Sequence, residues 1–217
     1  MKVAGIDEAG RGPVIGPMMV AGVALPENSI ALLVEIGVKD SKLLSPTKRR
    51  KLYEEIVSLP NVEIECVEVS AEEIDRYRLN GGKITDLEAR IMASVLDKLK
   101  PEVAYVDAAS ANVDAFAEKL RSYTKTRAKI VASHKAELLY PVVAAASIVA
   151  KERRERRIAE LKRIYGDFGS GYVTDPRTIA FLEKFALSGK PYPPIVRRTW
   201  KTASKVLQRT LKDFSKL

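Results

Sequence analysis

Residues 1–17 read MKVAGIDEAGRGPVIGP. The apolar run at 3–6 has the character of a short strand, and it ends on two adjacent acids, Asp7 and Glu8. Gly10, Arg11 and Gly12 follow at once, then Pro13, Gly16 and Pro17. Paired carboxylates where a strand stops, beside a glycine-flanked arginine, form a compact place to hold a divalent cation against a phosphate. Mg²⁺ is a hard ion that takes oxygen ligands and shares them with substrate phosphates. Two such ions roughly 3.5–4 Å apart can flank an in-line displacement at phosphorus. Gly10 and Gly12 carry no Cβ, so another molecule can approach the peptide groups around Arg11 closely. Taken alone, the same residues also read as a strand end with solvated acids and a Gly-Pro turn.

Working outward, the apolar run at 18–25 is close enough to pair with the first strand in a hairpin-like manner. A short helix is expected over 28–35, and Ser45-Pro46 supplies an N-cap and a first-turn proline for a helix with Leu52, Tyr53 and Ile56 on one face. Residues 62–69 alternate apolar and polar as a half-exposed strand does. A short helix over 71–78 precedes the break at Asn80-Gly81-Gly82, and Leu87, Ile91, Val95 and Leu99 predict an amphipathic helix over 85–99. A strand at 103–106 ends at Asp107, a helix covers 113–122, and a strand covers 127–133. Strands alternating with helices predict an α/β layer fold, whose sites gather at the carboxyl ends of strands. Asp7, Glu8 and Asp107 all fall at such ends. From Glu137 onward the chain reads as helical, with Asp175-Pro176 capping one helix and a basic helix over 200–211. The run at 151–163 mixes Arg and Lys with Glu152, Glu155 and Glu160 and reads as a solvated helix face.

Composition narrows the chemistry. The 217 residues suffice for one substantial domain, and an apolar share of 46% provides a core. A formal charge of +9 points to a polyanion, of which nucleic acid is the commonest. A membrane surface is the competing reading, but no apolar run reaches a membrane span and no signal pattern precedes Val3, so the expectation is a cytoplasmic protein without a membrane partner; a monomer is also expected. Cys66 is the single cysteine and His134 the single histidine, which excludes an internal disulfide, a cysteine zinc cluster and a multi-histidine centre. Metal chemistry must therefore run on carboxylates. Abundant Glu, Lys and Arg beside few Asn and Gln resemble a thermophile's composition.

Six segments resemble the ribonuclease HII family, and its archaeal branch in particular: GIDEAGRGPVIGPMMVAGV at 5–23, KDSKLL at 39–44, AYVDA at 104–108, HKAELLYPVVAAASIVAK at 134–151, GDFGSGYVTDPRT at 166–178 and PPIVRRTWKT at 193–202. The resemblance implies a ribonuclease H-like α/β fold, a mixed central sheet flanked by helices. A catalytic domain would span 1–190, with a basic helical extension over 191–217 packed on or next to it. It implies hydrolysis of the RNA strand of RNA–DNA hybrids and cutting 5′ to single ribonucleotides in duplex DNA, leaving 3′-hydroxyl and 5′-phosphate ends. Four acids would hold two Mg²⁺ or Mn²⁺ ions. Asp7, Glu8 and Asp107 match directly, whereas the fourth position, usually aspartate, falls on Glu137. Glutamate keeps the charge but extends it by one methylene, an arrangement similar to that of ribonuclease HIII; otherwise Glu137 is a solvated acid at a helix start. By the same resemblance Gly10, Arg11 and Gly12 read the ribonucleotide 2′-hydroxyl, the group that separates RNA from DNA at a given position. Tyr172 would stack under the sugar at the RNA–DNA junction, the alternative being a core tyrosine. Lys42 would contact phosphate. Arg197, Arg198, Lys201 and Lys205 could follow a nucleic-acid backbone, while Trp200 reads as core packing.

The tail carries a separate pattern. Gln208, Leu211 and Phe214 have the Gln-x-x-Leu-x-x-Phe spacing of sliding-clamp-binding peptides, with Ser215 where a second aromatic is usual. Weakened clamp binding is the expectation, against a fraying amphipathic helix end. Two rival readings share parts of the evidence: a junction resolvase of the same fold, indifferent to the 2′-hydroxyl, and a non-catalytic hybrid-binding module with structural acids.

Overall fold

The computed structural model describes residues 1–38 and 44–214, with side chains through 208. Among these, five strands form one sheet: β1 (Lys2–Ala9), β2 (Met18–Pro26), β3 (Glu63–Val69), β4 (Val103–Asp107) and β5 (Lys129–Ser133), in the order β3-β2-β1-β4-β5. β1 runs antiparallel to β2, from Lys2 opposite Pro26 to Ala9 opposite Met19. It runs parallel to β4, which is parallel to β5. The connections dictate this mixture, because a short turn returns a strand antiparallel whereas a helical crossover can bring it back parallel. The result is the mixed, helix-flanked sheet that the resemblance implies.

By compactness the chain divides into two units, Met1–Ala9 with Met19–Glu68 and Thr85–Arg153, and Gly10–Met18 with Val69–Ile84 and Arg154–Leu217. The first contains the sheet. β1 and β2 are buried along nearly their whole length, as inner strands covered on both faces should be. Alternation along β1 sends Gly5 and Asp7 to one face and Ile6 and Glu8 to the other. On the first face lies α7 (Pro141–Tyr165), so close that a Cβ at Gly5 would stand 2.3 Å from the Val142 carbonyl. On the second lies α4 (Ile84–Leu99), whose Val95 and Leu99 meet Gly22 beside Ile6. The small residues Val142 to Ala150 of α7 are what permit this approach, and they join Val23, Leu25, Leu33 and Ile56 in one apolar core.

The second unit closes over Val14, Ile15, Ile158, Phe168, Phe181, Leu182 and Val196. It holds α3 (Ala71–Leu79), α8 (Pro176–Leu187) and α9 (Lys201–Phe214), with α8 packed on α9. The helix-start signals act as read. The Ser45 hydroxyl accepts the Lys48 N–H at the head of α2 (Pro46–Val57), and Asp175 caps α8; the structure adds a reciprocal capping box of Ser70 with Glu73 on α3, which sequence reading missed.

Four local expectations are corrected. The helix expected at 28 begins as a 3₁₀ turn, Glu27–Ser29, before α1 (Ile30–Glu35). β5 starts at Lys129 rather than 127, and α9 runs on to Phe214 rather than stopping at 211. The 151–163 run is not a solvated face throughout. Glu152 is 2% exposed between Arg49 and Arg50, and Arg154 is 4% exposed.

Candidate active site

The parallel register of β1 and β4 pairs Ile6 with Val106, so Asp7 and Asp107 emerge side by side at the carboxyl ends of the two strands. Glu8 stands next to Asp7, and oxygens of Asp7, Glu8 and Asp107 lie within 4.8 Å of one another. Asp7 is buried. One of its oxygens accepts the Glu8 N–H at 2.7 Å, and Ser147 of α7 also hydrogen-bonds to it. Asp107 accepts the Ala136 N–H at 2.9 Å, which ties the end of β4 to α6 (Ala136–Leu139). Lys135 makes that turn with a left-handed backbone, φ 53°. Glu137, two residues on, is buried but lies outside the group formed by the other three acids. His134 flanks the same turn, with Nδ1 3.3 Å from the Ala108 carbonyl oxygen.

The electrostatics of the triad are those of a site built for a cation. Burial first, then the Glu8 and Asp107 charges, hold the Asp7 carboxyl well above its ordinary range, against the opposing pull of Ser147. Burial and the nearby Glu88 push Glu8 from 4.5 to about 8. Glu88 is a residue that sequence reading missed. It lies wholly buried in α4 close to Glu8, and a hydrogen bond between two such carboxyl groups requires a proton held between them. The available signal was an acid one residue along from Leu87 on the apolar side of an amphipathic helix. Asp7 and Glu8, whose protons are held by burial and by neighbouring acids, together with Asp107 match the oxygen-rich donor set of a hard divalent ion. Asp7, Glu8 and Asp107 are therefore the residues that would hold one.

Gly10, Arg11 and Gly12 belong to the second unit, and so does Tyr172. The structure brings them together: Gly12 is exposed, and a Cβ there would meet only the Tyr172 ring, at 3.9 Å. Tyr172 is 42% exposed rather than a core residue, and the Arg154 guanidinium lies 5.5 Å from its ring centre. The loop carrying Tyr172 is fixed from within. Asp175 accepts the Ser170 N–H at 2.8 Å, while Thr178 donates to the Phe168 carbonyl and accepts the Gly171 N–H. Gly171 in turn accepts the Val14 N–H at 2.8 Å. Gly169 and Gly171 take positive φ, and a Cβ at either would collide with Asp175 or with the Ile15 carbonyl.

The basic residues separate into two kinds. Lys201 and Lys205 are exposed on α9, as a cation following a phosphate chain must be. Arg197 is not. It has no exposed surface, and its guanidinium donates to three backbone carbonyls of the 10–16 loop. Its expected contact with a nucleic-acid backbone is corrected to an internal one, because the sequence shows a charge but not the carbonyls gathered around it. Arg198 keeps an exposed side chain beside Asp75, which itself accepts the N–H groups of Arg198 and Thr199. Trp200 packs against the second core, as read, and also donates from Nε1 to the Gly12 carbonyl at 3.1 Å. Gln208 is exposed, Leu211 and Phe214 lie on the helical backbone of α9, and Lys42 lies outside the described residues.

Comparison with known proteins gives the family and the fold. The profile of the family described as Ribonuclease HII matches residues 4–203. The ribonuclease HII of Pyrococcus abyssi is 47% identical over 224 residues, covering 100% of this chain and 98% of its own. The crystal structure of the ribonuclease H2 from Pyrococcus horikoshii superposes with a TM-score of 0.90 at 43% identity, covering 98% of this chain and 100% of that one. An Archaeoglobus fulgidus ribonuclease HII, solved as a complex with PCNA, gives a TM-score of 0.85 at 44% identity, with coverages of 93% and 96%.

Proposed function

The chain belongs to the ribonuclease HII family and is a metal-dependent nuclease, and from that premise we propose that it hydrolyses the RNA strand of RNA–DNA hybrids and cuts 5′ to single ribonucleotides embedded in duplex DNA. The observation that carries the proposal is the partly buried triad of Asp7, Glu8 and Asp107, with oxygens within 4.8 Å of one another at adjacent strand ends. These three would hold Mg²⁺ or Mn²⁺, with Glu137 closing the site from α6. When bound, a pair of such ions supplies activation of the attacking water and stabilisation of the leaving 3′-oxygen.

The remaining work falls to this chain's own residues. Ser147 orients Asp7, and the Ala136 N–H orients Asp107. The Gly10-Arg11-Gly12 peptides read the 2′-hydroxyl and Tyr172 supports the sugar at the junction. This division selects an RNA linkage without reading base sequence, as cutting at an arbitrary ribonucleotide requires. Exposed Lys201 and Lys205 add a salt-sensitive attraction for the duplex. The Gln208, Leu211 and Phe214 spacing supports docking on a DNA sliding clamp, an interaction for which the Archaeoglobus fulgidus relative, solved with PCNA, is the precedent.

Asp7→Asn is the direct test. It removes one negative charge with little change of shape, so cleavage should fall by roughly three orders of magnitude or more, the scale of a lost electrostatic catalytic group. Binding of the hybrid should be weakened little. Retained cleavage would take Asp7 out of the chemistry.

A further inference from the structure

The loop at 10–12 is held by its carbonyl groups. Arg197 donates from Nη2 to the Gly10 oxygen at 2.6 Å, from Nη1 to the Arg11 oxygen at 2.7 Å and from Nε to the Gly16 oxygen at 3.0 Å. Trp200 takes the Gly12 oxygen at 3.1 Å. Desolvating a guanidinium is unfavourable, and burial together with the Arg154 charge works against Arg197 being charged at all. A surface lysine would have met the folding requirement with less opposition. What a lysine cannot do is meet three oxygens with the rigid planar fork of a guanidinium.

The geometry of a peptide gives this arrangement a purpose. In a trans peptide the C=O of one residue and the N–H of the next lie in one plane and point in opposite directions. No cis peptide occurs among the described residues. Fixing the Gly10 carbonyl therefore directs the Arg11 N–H away from Arg197, and fixing the Arg11 carbonyl does the same for the Gly12 N–H. The Gly12 carbonyl, held by Trp200, shares its peptide with Pro13, which has no N–H to aim. Glycine is the residue most costly to immobilise, so a reader built on Gly10 and Gly12 needs an external brace.

We infer that Arg197 is the positioning residue for 2′-hydroxyl recognition, aiming the Arg11 and Gly12 N–H groups at the ribose while touching no substrate itself. The inference rests on the proposed reading of the 10–12 loop.

The test measures binding in EDTA, without cleavage, to two duplexes that differ only in one ribonucleotide. Arg197→Lys should lower the preference for the ribonucleotide duplex roughly tenfold or more, the scale of lost charge-assisted hydrogen bonds, and leave affinity for the all-DNA duplex within about twofold. Trp200→Phe, which loses only the bond to the peptide without an N–H, should keep most of the preference. Equal weakening of both duplexes by Arg197→Lys, or equal loss of preference in both variants, would mean general loosening of the fold and overturn the proposal. Gly12→Ala tests the underlying reading, since its Cβ has room in the free protein but would intrude on a ribose. If Gly12→Ala loses the preference and Arg197→Lys keeps it, the reading stands and the role of Arg197 falls. No preference in the wild type would remove both. Amide exchange on the wild-type protein covers the case of an Arg197→Lys chain that does not fold. Slowing at Gly12 with the ribonucleotide duplex alone supports the proposal, and equal slowing with both duplexes refutes it.

Discussion

Raising the pH of the metal-free protein from about 5 to about 9 should destabilise it, and divalent metal should reverse the loss. The cause is Glu8, whose carboxyl is pushed from 4.5 to about 8 by burial and by the nearby Glu88. Between 4.5 and about 8 the folded chain still holds a proton that the unfolded chain has released. Stability is then greatest at the acid end and declines as pH rises. At about 1.4 kcal/mol per pH unit, making this group ionise opposes the metal-free fold by roughly 5 kcal/mol. Asp7, raised for the same reasons, acts in the same direction. For a chain of this size, roughly 2–4 °C per kcal/mol corresponds to a melting temperature lower by about 10–20 °C at the alkaline end. Calorimetry in EDTA at both ends of the range, on wild type and Glu8→Gln, isolates the effect because glutamine cannot ionise. Adding Mg²⁺ or Mn²⁺ should raise the wild-type melting temperature most at high pH, where ligands are deprotonated and binding is strongest. A wild-type stability that rises with pH relative to Glu8→Gln would refute the reasoning.

Two further outcomes follow from the packing and the tail. Gly5→Ala would place a methyl 2.3 Å from the Val142 carbonyl; backbone cannot yield as a side chain can, so thermal unfolding should show a loss of about 3 kcal/mol or more, and an unchanged melting temperature would contradict the contact between β1 and α7. A peptide carrying residues 205–217 should bind a sliding clamp with its Leu211 and Phe214, and Phe214→Ala should lower that affinity at least tenfold, as truncating a buried aromatic anchor does; equal binding by the mutant peptide in competition would end the clamp reading.

Much of the site was legible because it obeys short-range rules. Asp7, Glu8 and Asp107 fall where apolar strands stop, and a parallel sheet gathers such ends on one edge whatever the details of packing. The helix caps at Ser45 and Asp175 are local for the same reason. Glu88 and Arg197 escaped because their meaning depends on tertiary neighbours. Along the sequence Glu88 is one acid in an amphipathic helix, and only the fold brings it against Glu8. Arg197 sits in a run of cations that reads as surface charge until the chain folds the 10–16 carbonyls around it. Likewise Glu152 and Arg154 belong to a charged stretch whose alternation of sign suggests solvent, yet α7 is long enough that one of its faces is covered along that stretch. Glu137 lies between these cases. Its place as an acid at a helix start was readable, but that it lies buried and outside the group of Asp7, Glu8 and Asp107 was not.

The proposal at the centre of the account is that this chain cuts at RNA because it recognises a 2′-hydroxyl and holds divalent metal on carboxylates. The most direct measurement uses a labelled DNA duplex containing one ribonucleotide and an all-DNA control, each with Mg²⁺, Mn²⁺ or EDTA. The account predicts a single cut 5′ to the ribonucleotide, leaving 3′-hydroxyl and 5′-phosphate ends, only with metal and only in the first duplex. Cleavage of the all-DNA control at a comparable rate, or cleavage in EDTA, would contradict it.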